Sequence, residues 1–503
     1  MSRTSRISAA LLVLALAGGT AQPRATAEAL PAVDREFRGL WVATVDTVDG
    51  VDWPSKRSLA TREQKAELTA ILDRAVEMHL NVIVFQVRGN CDAMYDSRIE
   101  PWSEYLTGQM GRAPQPYYDP LAFAVEEAHK RGLELHAWFN PYRVHSRNLK
   151  TPVSTNHVSV THYGLVRTYG KFLWLDPTEP GTRDYSLSVI MDVVRSYDID
   201  GVHFDDHFYP DPEKEGGREL QFPDDGSWRR YQKTGGKMSR NDWRRENVNM
   251  LVRAVSEGIK REKPWVKFGI SPFGIWRPNQ PRGITGLDAY DKLCGDARTW
   301  LAEGWVDYLA PQLYWPAADK PHAFAALLRW WADQNTRHRL LLAGMRVGGW
   351  QGISNEARET SDEIQLTRKQ AGTSGEILWH STLLLTHRTG VAEALRKGVY
   401  AEPALVPACA WLGGGVPARP VLTARQTGRY ITLKWKEGSG RVWQWVVRRR
   451  TGGRWTTDIV PESQREEVVS AEDGLRDVIA VSAVNRYGNL SEATLFHTDL
   501  LDK

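Results

Sequence analysis

The strongest constraint on the fold of this sequence is a regular alternation of short apolar and longer amphipathic segments between residues 37 and 397. Short apolar runs are typical of buried parallel strands, and a 3.6-residue apolar period is typical of helices packed on them. Eight strands are predicted, over residues 37–45, 81–87, 134–139, 201–204, 266–271, 306–310, 340–344 and 376–379. The helices that follow them are predicted over residues 62–78, 119–130, 183–196, 241–261, 287–302, 323–334, 361–370 and 391–397. Such a series predicts an α/β protein with a closed (β/α)8 TIM barrel over residues 36–400.

A doubly wound open sheet is the alternative arrangement for alternating strands and helices. That fold would normally carry a glycine-rich phosphate-binding loop directly after its first strand. The residues that follow position 45 contain no such loop. The barrel is therefore the favoured prediction, and no cofactor is predicted.

The N-terminal residues differ from the barrel region. Residues 1–27 combine a basic start, an apolar run over 7–17 and the small-residue site Ala25-Thr26-Ala27, which predicts a cleavable signal peptide. The apolar run is too short for a membrane anchor, and no later segment is long enough to span a bilayer. No transmembrane segment is therefore predicted, and the mature protein is expected in the periplasm or outside the cell.

The C-terminal residues change composition again. Residues 401–418 are rich in proline and glycine, including Gly413-Gly414-Gly415, and are predicted as a linker. Residues 419–498 contain short alternating segments separated by turn residues, which predicts a small all-β sandwich. Residues 483–491 are similar to the last strand pair of fibronectin type III domains. We expect a binding or spacer role for this domain, with cell-envelope or division-site partners possible through it.

Composition limits the classes of partner. The 65 Lys and Arg residues nearly balance the 61 Asp and Glu residues and form no basic stripe, so no nucleic-acid partner is predicted. Three cysteines are too few for a disulfide framework. The 21 tryptophans and 17 tyrosines suit a polysaccharide partner, because sugar rings stack on flat apolar surfaces.

Polar and aromatic side chains follow the predicted strands, most densely in Asp-Gly-Val-His-Phe-Asp-Asp-His-Phe-Tyr-Pro at 200–210. Parallel barrels carry their chemistry at the carboxyl ends of the strands. Strand alternation places His203 and Asp205 on one face, with Asp205 at the mouth. The predicted substrate-binding residues are Trp41, Gln86, Arg88, His136, Trp138, Asn140, Tyr142, Arg143, His203, Tyr209, Trp276, Arg277, Gln312, Tyr314 and Trp315.

Glycoside hydrolysis fits this set of residues, because its transition state needs a carboxylate near the anomeric carbon and a proton donor for the leaving oxygen. Asp205 is predicted as the carboxylate that faces the anomeric carbon. Asp206 is predicted as the acid, or as one of two carboxylates in a substrate-assisted mechanism in which the other positions a 2-acetamido group. Asp92 is the reserve second carboxylate.

Structural roles are the alternative for each of these residues. An aspartate at a strand end often caps the next turn or helix, and His136 and His203 are more often hydrogen-bonded barrel interior than catalytic. Trp276 and Trp315 can equally pack at the rim. A metal site built from these histidines, Asp205 or His207 lacks an established ligand spacing, so no metal is predicted.

An ordered series of segments resembles one known family. The segments are Phe-Arg-Gly-Leu-Trp-Val-Ala-Thr at 37–44, Asp-Trp-Pro at 52–54, Phe-Gln-Val-Arg at 85–88, Cys-Asp-Ala at 91–93, Glu-Pro-Trp-Ser at 100–103, His-Ala-Trp-Phe-Asn-Pro-Tyr-Arg at 136–143, Asp-Gly-Val-His-Phe-Asp-Asp-His-Phe-Tyr at 200–209, Gly-Ile-Ser-Pro-Phe-Gly-Ile-Trp-Arg at 269–277 and Pro-Gln-Leu-Tyr-Trp-Pro at 311–316. In this order they resemble the glycosyl-hydrolase-like 10 family of bacterial exported proteins. The resemblance spans about residues 36–400.

The resemblance implies a TIM barrel, retention in the cell envelope and a glycan substrate, since the family includes a hydrolase of peptidoglycan glycan strands stripped of stem peptides. The segment Asp-Gly-Val-His-Phe-Asp also resembles amylase-type barrels, where the last aspartate is the nucleophile, here Asp205. His203 stands where amylases carry arginine. Ser271-Pro272 stands where they carry the glutamate acid.

The sequence therefore predicts a glycoside hydrolase that acts on an amino-sugar polymer, namely denuded peptidoglycan glycan strands. A non-catalytic glycan-binding protein of the cell envelope is the alternative from another class. A metal-dependent deacetylase or amidase is a third.

Overall fold

The computed structural model describes residues 30–47, 49–146, 151–350, 352–385, 390–470 and 476–497. The predicted signal peptide lies outside these residues. Among the helices described, none combines the length and the apolar character that a bilayer crossing requires. Residues from Val33 onward form one compact unit.

Eight parallel strands close into a barrel, which confirms the predicted fold. Each strand pairs with its neighbours in the chain, and the last strand pairs with the first. The strands are β1 Phe37–Val42, β2 Val82–Arg88, β3 Glu134–Phe139, β4 Gly201–Phe204, β5 Lys267–Ile270, β6 Tyr308–Leu309, β7 Leu340–Arg346 and β8 Gly375–Trp379.

Helices cover the outside of the barrel. The eight that follow the strands are α1 Thr61–Glu77, α2 Pro120–Lys130, α3 Pro180–Ser196, α4 Arg240–Glu262, α5 Ala297–Glu303, α6 Phe324–Gln334, α7 Glu356–Lys369 and α8 Val391–Lys397. Side-chain caps fix their starts: Asp119 accepts from the Ala122 amide before α2, and Ser239 accepts from the Asp242 amide before α4.

The helix predicted over residues 287–302 is broken into two. Ala289–Lys292 is a separate turn, and α5 begins only at Ala297. Cys294 adopts a left-handed φ of 53°, which ends the first segment, and the Asp296 side chain accepts from the Thr299 amide to start the second.

Inside the barrel, polar side chains stack in a column beneath the mouth. Lys267 and Glu134 form a buried ion pair of 2.9 Å, and Glu134 lies 3.1 Å from His136 Nε2. The Tyr308 hydroxyl lies 3.0 Å from Nδ1 of both His136 and His203. His136 therefore lies in the barrel interior, as part of this column.

A glycine makes room for this column. A Cβ placed on Gly269 of β5 would lie 1.9 Å from the Tyr308 ring. Any larger residue would push the tyrosine away from the two histidines that its hydroxyl bridges.

A small antiparallel sheet is inserted between β3 and α3, and the sequence pattern did not predict it. Its strands are Arg143–Ser146, Phe172–Leu175 and Val166–Tyr169, with Phe172–Leu175 in the centre. Arg143 lies opposite Trp174 in the register. The sheet stands at the mouth of the barrel because Arg143 follows the end of β3 by only a few residues.

The C-terminal residues form the predicted all-β sandwich. One antiparallel sheet contains Val421–Thr427, Tyr430–Lys436 and Glu466–Ser470, and the other contains Arg454–Pro461, Gln444–Thr451, Arg476–Val484 and Thr494–His497. Its core contains Leu433, Trp435, Trp445, Val447 and Ile479. Assignment of this sandwich to the fibronectin type III type stays a prediction.

The sandwich is fixed to the end of the barrel opposite the mouth. Arg486 donates to Asp200 at 2.5 Å, and Asp200 directly precedes β4. Within the predicted linker, Cys409 is buried, and the Trp411 indole N–H donates to Asp307 at 2.8 Å. Residues 409–411 of the predicted linker therefore pack on the barrel.

Candidate active site

A cavity of about 590 Å³ opens at the carboxyl ends of the barrel strands. Eight of the predicted site residues line it: Trp41, Gln86, Trp138, Arg143, Asp205, Asp206, Gln312 and Tyr314. They come from β1, from β2, from β3 and the residues after it, and from the residues that follow β4 and β6. The strand ends thus bring residues from distant parts of the sequence to one cavity.

Asp205 and Asp206 lie side by side in the floor of this cavity and are only 6% and 8% exposed. The Asn140 amide donates to Asp205 Oδ2 at 2.5 Å, and the Gln312 amide donates to Asp206 Oδ1 at 3.1 Å. Strand β4 ends at Phe204, so strand alternation no longer applies and both carboxylates face the cavity. Asn140 does not line the cavity itself but holds Asp205 in place.

His207 lies between the two carboxylates. Its Nδ1 is 3.1 Å from Asp206 Oδ1 and 3.4 Å from Asp205 Oδ2, and its backbone amide donates to Asp205 Oδ1 at 3.0 Å. Burial lowers the pKa of His207, but the charges of Asp205 and Asp206 outweigh burial and raise the pKa well above its usual value. The imidazole is therefore positively charged at neutral pH.

Asp205 is held in the ionised form. Burial would raise its pKa, but the charge of His207 and its hydrogen bonds, together with the Arg143 guanidinium 3.7 Å away, hold the pKa of Asp205 well below its usual range. The site thus combines a firmly ionised carboxylate, Asp205, with a charged imidazole that lies between it and Asp206.

His203 supports this floor from beneath. Burial, followed by the charge of His136, lowers the pKa of His203 to about 3, so its imidazole is neutral. The Trp41 indole N–H donates to His203 Nε2 at 3.1 Å, and the Ser271 hydroxyl lies 3.0 Å from the same nitrogen. His203 therefore positions cavity-lining side chains and holds no proton to transfer at Nε2.

Aromatic rings form one side of the cavity. Trp379 lies 6.2 Å from Trp41 and 6.3 Å from Trp138 between ring centroids, and it stacks on Tyr314 at 6.4 Å. Such flat apolar surfaces suit the C–H faces of sugar rings. Trp379 is a functional candidate that sequence reasoning missed, although it is the last residue of a predicted strand.

Other lining residues were also outside the prediction. They are Val45, Asp46, Thr47, Lys171, Phe172, Trp174, His207, Pro210, Asp211, Glu213, Ser271 and Arg346. Lys171, Phe172 and Trp174 belong to the inserted sheet, for which strand-end reasoning has no signal. Arg346, by contrast, ends β7, and its position alone could have indicated it.

Several predicted site residues do not line the cavity. Asp92 is buried and accepts from the Asn90 amide at 2.9 Å, and Tyr142 is fully buried. Arg88 forms a buried bidentate pair with Glu100 at 2.8 and 2.6 Å. Asp92, Arg88 and Tyr142 are thus buried in the protein and do not line the cavity.

The remaining predicted residues lie on the outer side of the strand ends. Trp276 stacks on Trp330 at 5.6 Å, and Arg277 donates to Asp288 at 3.0 Å. Trp315 stacks on His322 at 4.6 Å. The Tyr209 ring packs against Phe222 at 5.0 Å. For the two tryptophans, the structure matches the rim-packing alternative.

Asp205, Asp206 and His207 are the one group of possible metal ligands found among the described residues, with ligand atoms within 4.8 Å of one another. A metal ion would have to displace the His207 proton and would lie close to Arg143. The arrangement therefore favours an ion-paired cluster over a metal site.

Sequence comparison identifies the family of the chain. The profile of the family described as glycosyl hydrolase-like 10 matches residues 36–350. The chain belongs to this family. It is 39% identical over 401 residues to the glycosyl hydrolase YngK of Bacillus subtilis, an alignment that covers 78% of this chain and 77% of YngK.

A second relative and one solved structure extend this comparison. The glycosyl hydrolase DigH of Escherichia coli K12 is 37% identical over 379 residues, covering 69% of this chain and 83% of DigH. The catalytic domain of β-amylase from Paenibacillus polymyxa superposes with a TM-score of 0.49 and 12% identity, covering 74% of this chain and 99% of that domain.

Proposed function

We propose that the barrel hydrolyses the glycosidic bonds of an amino-sugar polymer, namely peptidoglycan glycan strands stripped of their stem peptides. The observation that carries the proposal is the Asp205–His207–Asp206 cluster, which lies in the floor of an aromatic-lined cavity at the barrel mouth. Membership of a glycosyl hydrolase-like family supports it.

The geometry supports distinct roles for the two carboxylates. Asp205 stays ionised, so it stabilises positive charge at the anomeric carbon, directly or by orienting the neighbouring 2-acetamido group. Asp206 delivers a proton to the leaving oxygen and receives it from the His207 imidazolium 3.1 Å away. Water then adds at the anomeric carbon, and its proton returns to this cluster.

We propose that residues 1–27 are a cleaved signal peptide that exports the protein to the periplasm or the cell exterior. The C-terminal sandwich, fixed to the barrel through Arg486, is the surface proposed for contacts with cell-envelope or division-site partners.

Purified protein should release saccharide fragments from denuded sacculi. Incubation with intact and with denuded sacculi, followed by mass spectrometry of the soluble products, measures this directly. Cleaved strands are expected from denuded sacculi, with acetyl groups retained and with no loss of activity in EDTA. Binding without release would favour a glycan-binding protein, and EDTA-sensitive loss of acetyl groups or peptides would favour a metal-dependent deacetylase or amidase.

Replacing His207 by glutamine should move the acidic limb of the activity profile to higher pH. The imidazolium is the leading cause of the low pKa of Asp205, so its removal raises that pKa, and Asp205 loses its charge at a higher pH. The measurement is kcat/KM on denuded strands against pH. An unchanged acidic limb in a folded His207→Gln variant would contradict the assigned ion pair.

A further inference from the structure

Besides the charged His207 imidazole, three basic side chains line the cavity, and they differ in how many hydrogen-bond partners the protein gives them. The Arg346 guanidinium donates to both carboxylate oxygens of Asp49, at 2.8 and 2.5 Å, and to the Gly348 carbonyl. Arg143 and Lys171 have no comparable set of partners among the residues that the structure describes. These two are therefore the cations with donors left for a ligand.

Arg143 is held at the cavity wall with its donors largely unused. Its side chain is only 16% exposed, and the carboxylate nearest to it is Asp205, at 3.7 Å from Nη2 to Oδ2. That oxygen already accepts the Asn140 amide at 2.5 Å. Within the described chain, the guanidinium makes no closer polar contact, and Arg143 lines the cavity.

Lys171 stands on the same wall. It occupies the turn between the strands Val166–Tyr169 and Phe172–Leu175 of the inserted sheet, whose third strand begins at Arg143. Its ammonium lies 5.2 Å from the Phe172 ring centroid, and no carboxylate of the described residues is within 4.0 Å of it. One small sheet thus presents two cations together with the rings of Phe172 and Trp174.

The carboxylates that face the cavity lie on other elements. Asp205 and Asp206 form the floor, and Asp211 and Glu213 lie on the segment after β4, with the Glu213 carboxylate against Gly170, the residue before Lys171. Asp46 is already bound, since it accepts from Arg57 and from the Tyr105 hydroxyl at 2.8 Å each. The inserted sheet is therefore the basic wall of an otherwise acidic cavity.

We infer that Arg143 and Lys171 bind a carboxylate carried by the sugar, and, resting on the proposed function, that it is the free lactyl carboxylate of N-acetylmuramic acid. A guanidinium pairs with a carboxylate through parallel N–H donors, and an ammonium adds a second charge. A stem peptide converts this carboxylate to a neutral, bulkier amide, which cannot replace the ion pair. The basic wall thereby makes the absence of the stem peptide a condition for tight binding.

The test compares two substrates that differ only at this group. One is a set of denuded oligosaccharides of alternating N-acetylglucosamine and N-acetylmuramic acid, and the other is the same set with each lactyl carboxylate converted to its N-methylamide. Loss of about one charged hydrogen bond in the amide predicts a kcat/KM about 10- to 100-fold higher for the acid than for the amide with the wild-type protein.

Two variants test whether Arg143 and Lys171 cause the preference for the acid over the amide. Lys171→Met and Arg143→Gln should each lower the acid-to-amide ratio of kcat/KM. Because both substrates contain the same scissile bond, the ratio cancels any loss that Arg143→Gln causes through Asp205. Lys233→Met is the matched control, since Lys233 is exposed on the helix Asp225–Lys233 and does not line the cavity, and it should keep the wild-type ratio.

The outcomes separate this inference from the proposed hydrolysis. A wild-type ratio near one, or a wild-type ratio retained in both Lys171→Met and Arg143→Gln, would overturn the carboxylate site. If the wild type cleaves neither substrate, hydrolysis fails, and calorimetric binding of the same two oligosaccharides decides the inference. Tighter binding of the acid would support the site, and equal binding or none would reject it.

Discussion

Replacing Asp205 by asparagine should lower the cleavage of denuded glycan strands by about 10³-fold or more. Asp205 is the one carboxylate of the cluster that His207 and Arg143 together hold ionised, and it lies in the cavity floor. An amide of the same shape cannot neutralise positive charge at the anomeric carbon. The measurement is the initial rate of reducing-end formation on denuded strands.

Asparagine is nearly isosteric, so the fold should persist. Circular dichroism and thermal unfolding of Asp205→Asn should match the wild type closely, and Asp184→Asn is the matched control because Asp184 is exposed on the outer helix α3. Undiminished cleavage by a folded Asp205→Asn variant would remove Asp205 from the chemistry. Loss of activity together with loss of structure in Asp205→Asn would leave the role to be measured with Asp205→Glu, which keeps the charge but displaces it.

The barrel could be predicted because the same strand and helix pattern repeats along the sequence. Eight apolar segments at strand length, each followed by helical periodicity, leave few arrangements that bury all of them. The one broken helix, at Ala289–Lys292 and α5, is a local event. It depends on the left-handed conformation at Cys294, which the average apolar period does not encode.

Strand alternation located part of the site and failed where the backbone is irregular. His136, Trp138 and Asn140 share a face as predicted. His136 lies in the barrel interior, Trp138 lines the cavity, and Asn140 donates to Asp205. Gln86 and Arg88 do not share a face, because the register of β2 against β3 shifts between them. Gln86 lines the cavity, whereas Arg88 turns to the buried Glu100.

Residues 200–210, the densest polar and aromatic cluster of the predicted site, have two roles, which depend on the end of β4 that each residue flanks. Asp205 and Asp206 follow the carboxyl end of β4 and reach the cavity. Asp200 precedes the strand and binds the Leu135 amide at 2.9 Å and Arg486 of the sandwich at 2.5 Å. Opposite ends of one strand therefore carry the proposed catalytic carboxylates and a contact that attaches the sandwich.

Apart from Arg143, the basic wall was beyond sequence reasoning. Lys171 and Trp174 belong to a hairpin between a strand and its helix, and their position depends on tertiary contacts such as the Trp174 indole N–H donating to the Phe208 carbonyl at 3.2 Å. A contact between residues far apart in the sequence leaves no periodic pattern. Only the folded chain places these residues over the carboxylates.

Replacing Arg88 by methionine should lower the free energy of unfolding by about 3–5 kcal/mol, because it leaves a buried carboxylate without its cation. The side chains of Arg88 and Glu100 are 1% and 0% exposed, and their pairing is bidentate. After the substitution, Glu100 keeps the Tyr185 hydroxyl at 2.9 Å as a donor but no positive charge. Urea unfolding followed by tryptophan fluorescence measures the change.

Two further variants identify the cause of this loss. Arg358 is 78% exposed, and its pairing with Asp362 at 3.5 Å lies in solvent. Arg358→Met should therefore change the unfolding free energy by less than about 1 kcal/mol. The double variant Arg88→Met with Glu100→Gln should recover part of the loss, since the unpaired buried charge is then gone. If Arg88→Met instead unfolds like the wild type but loses affinity for glycan, Arg88 contacts substrate after all, and the ion pair is not its main role.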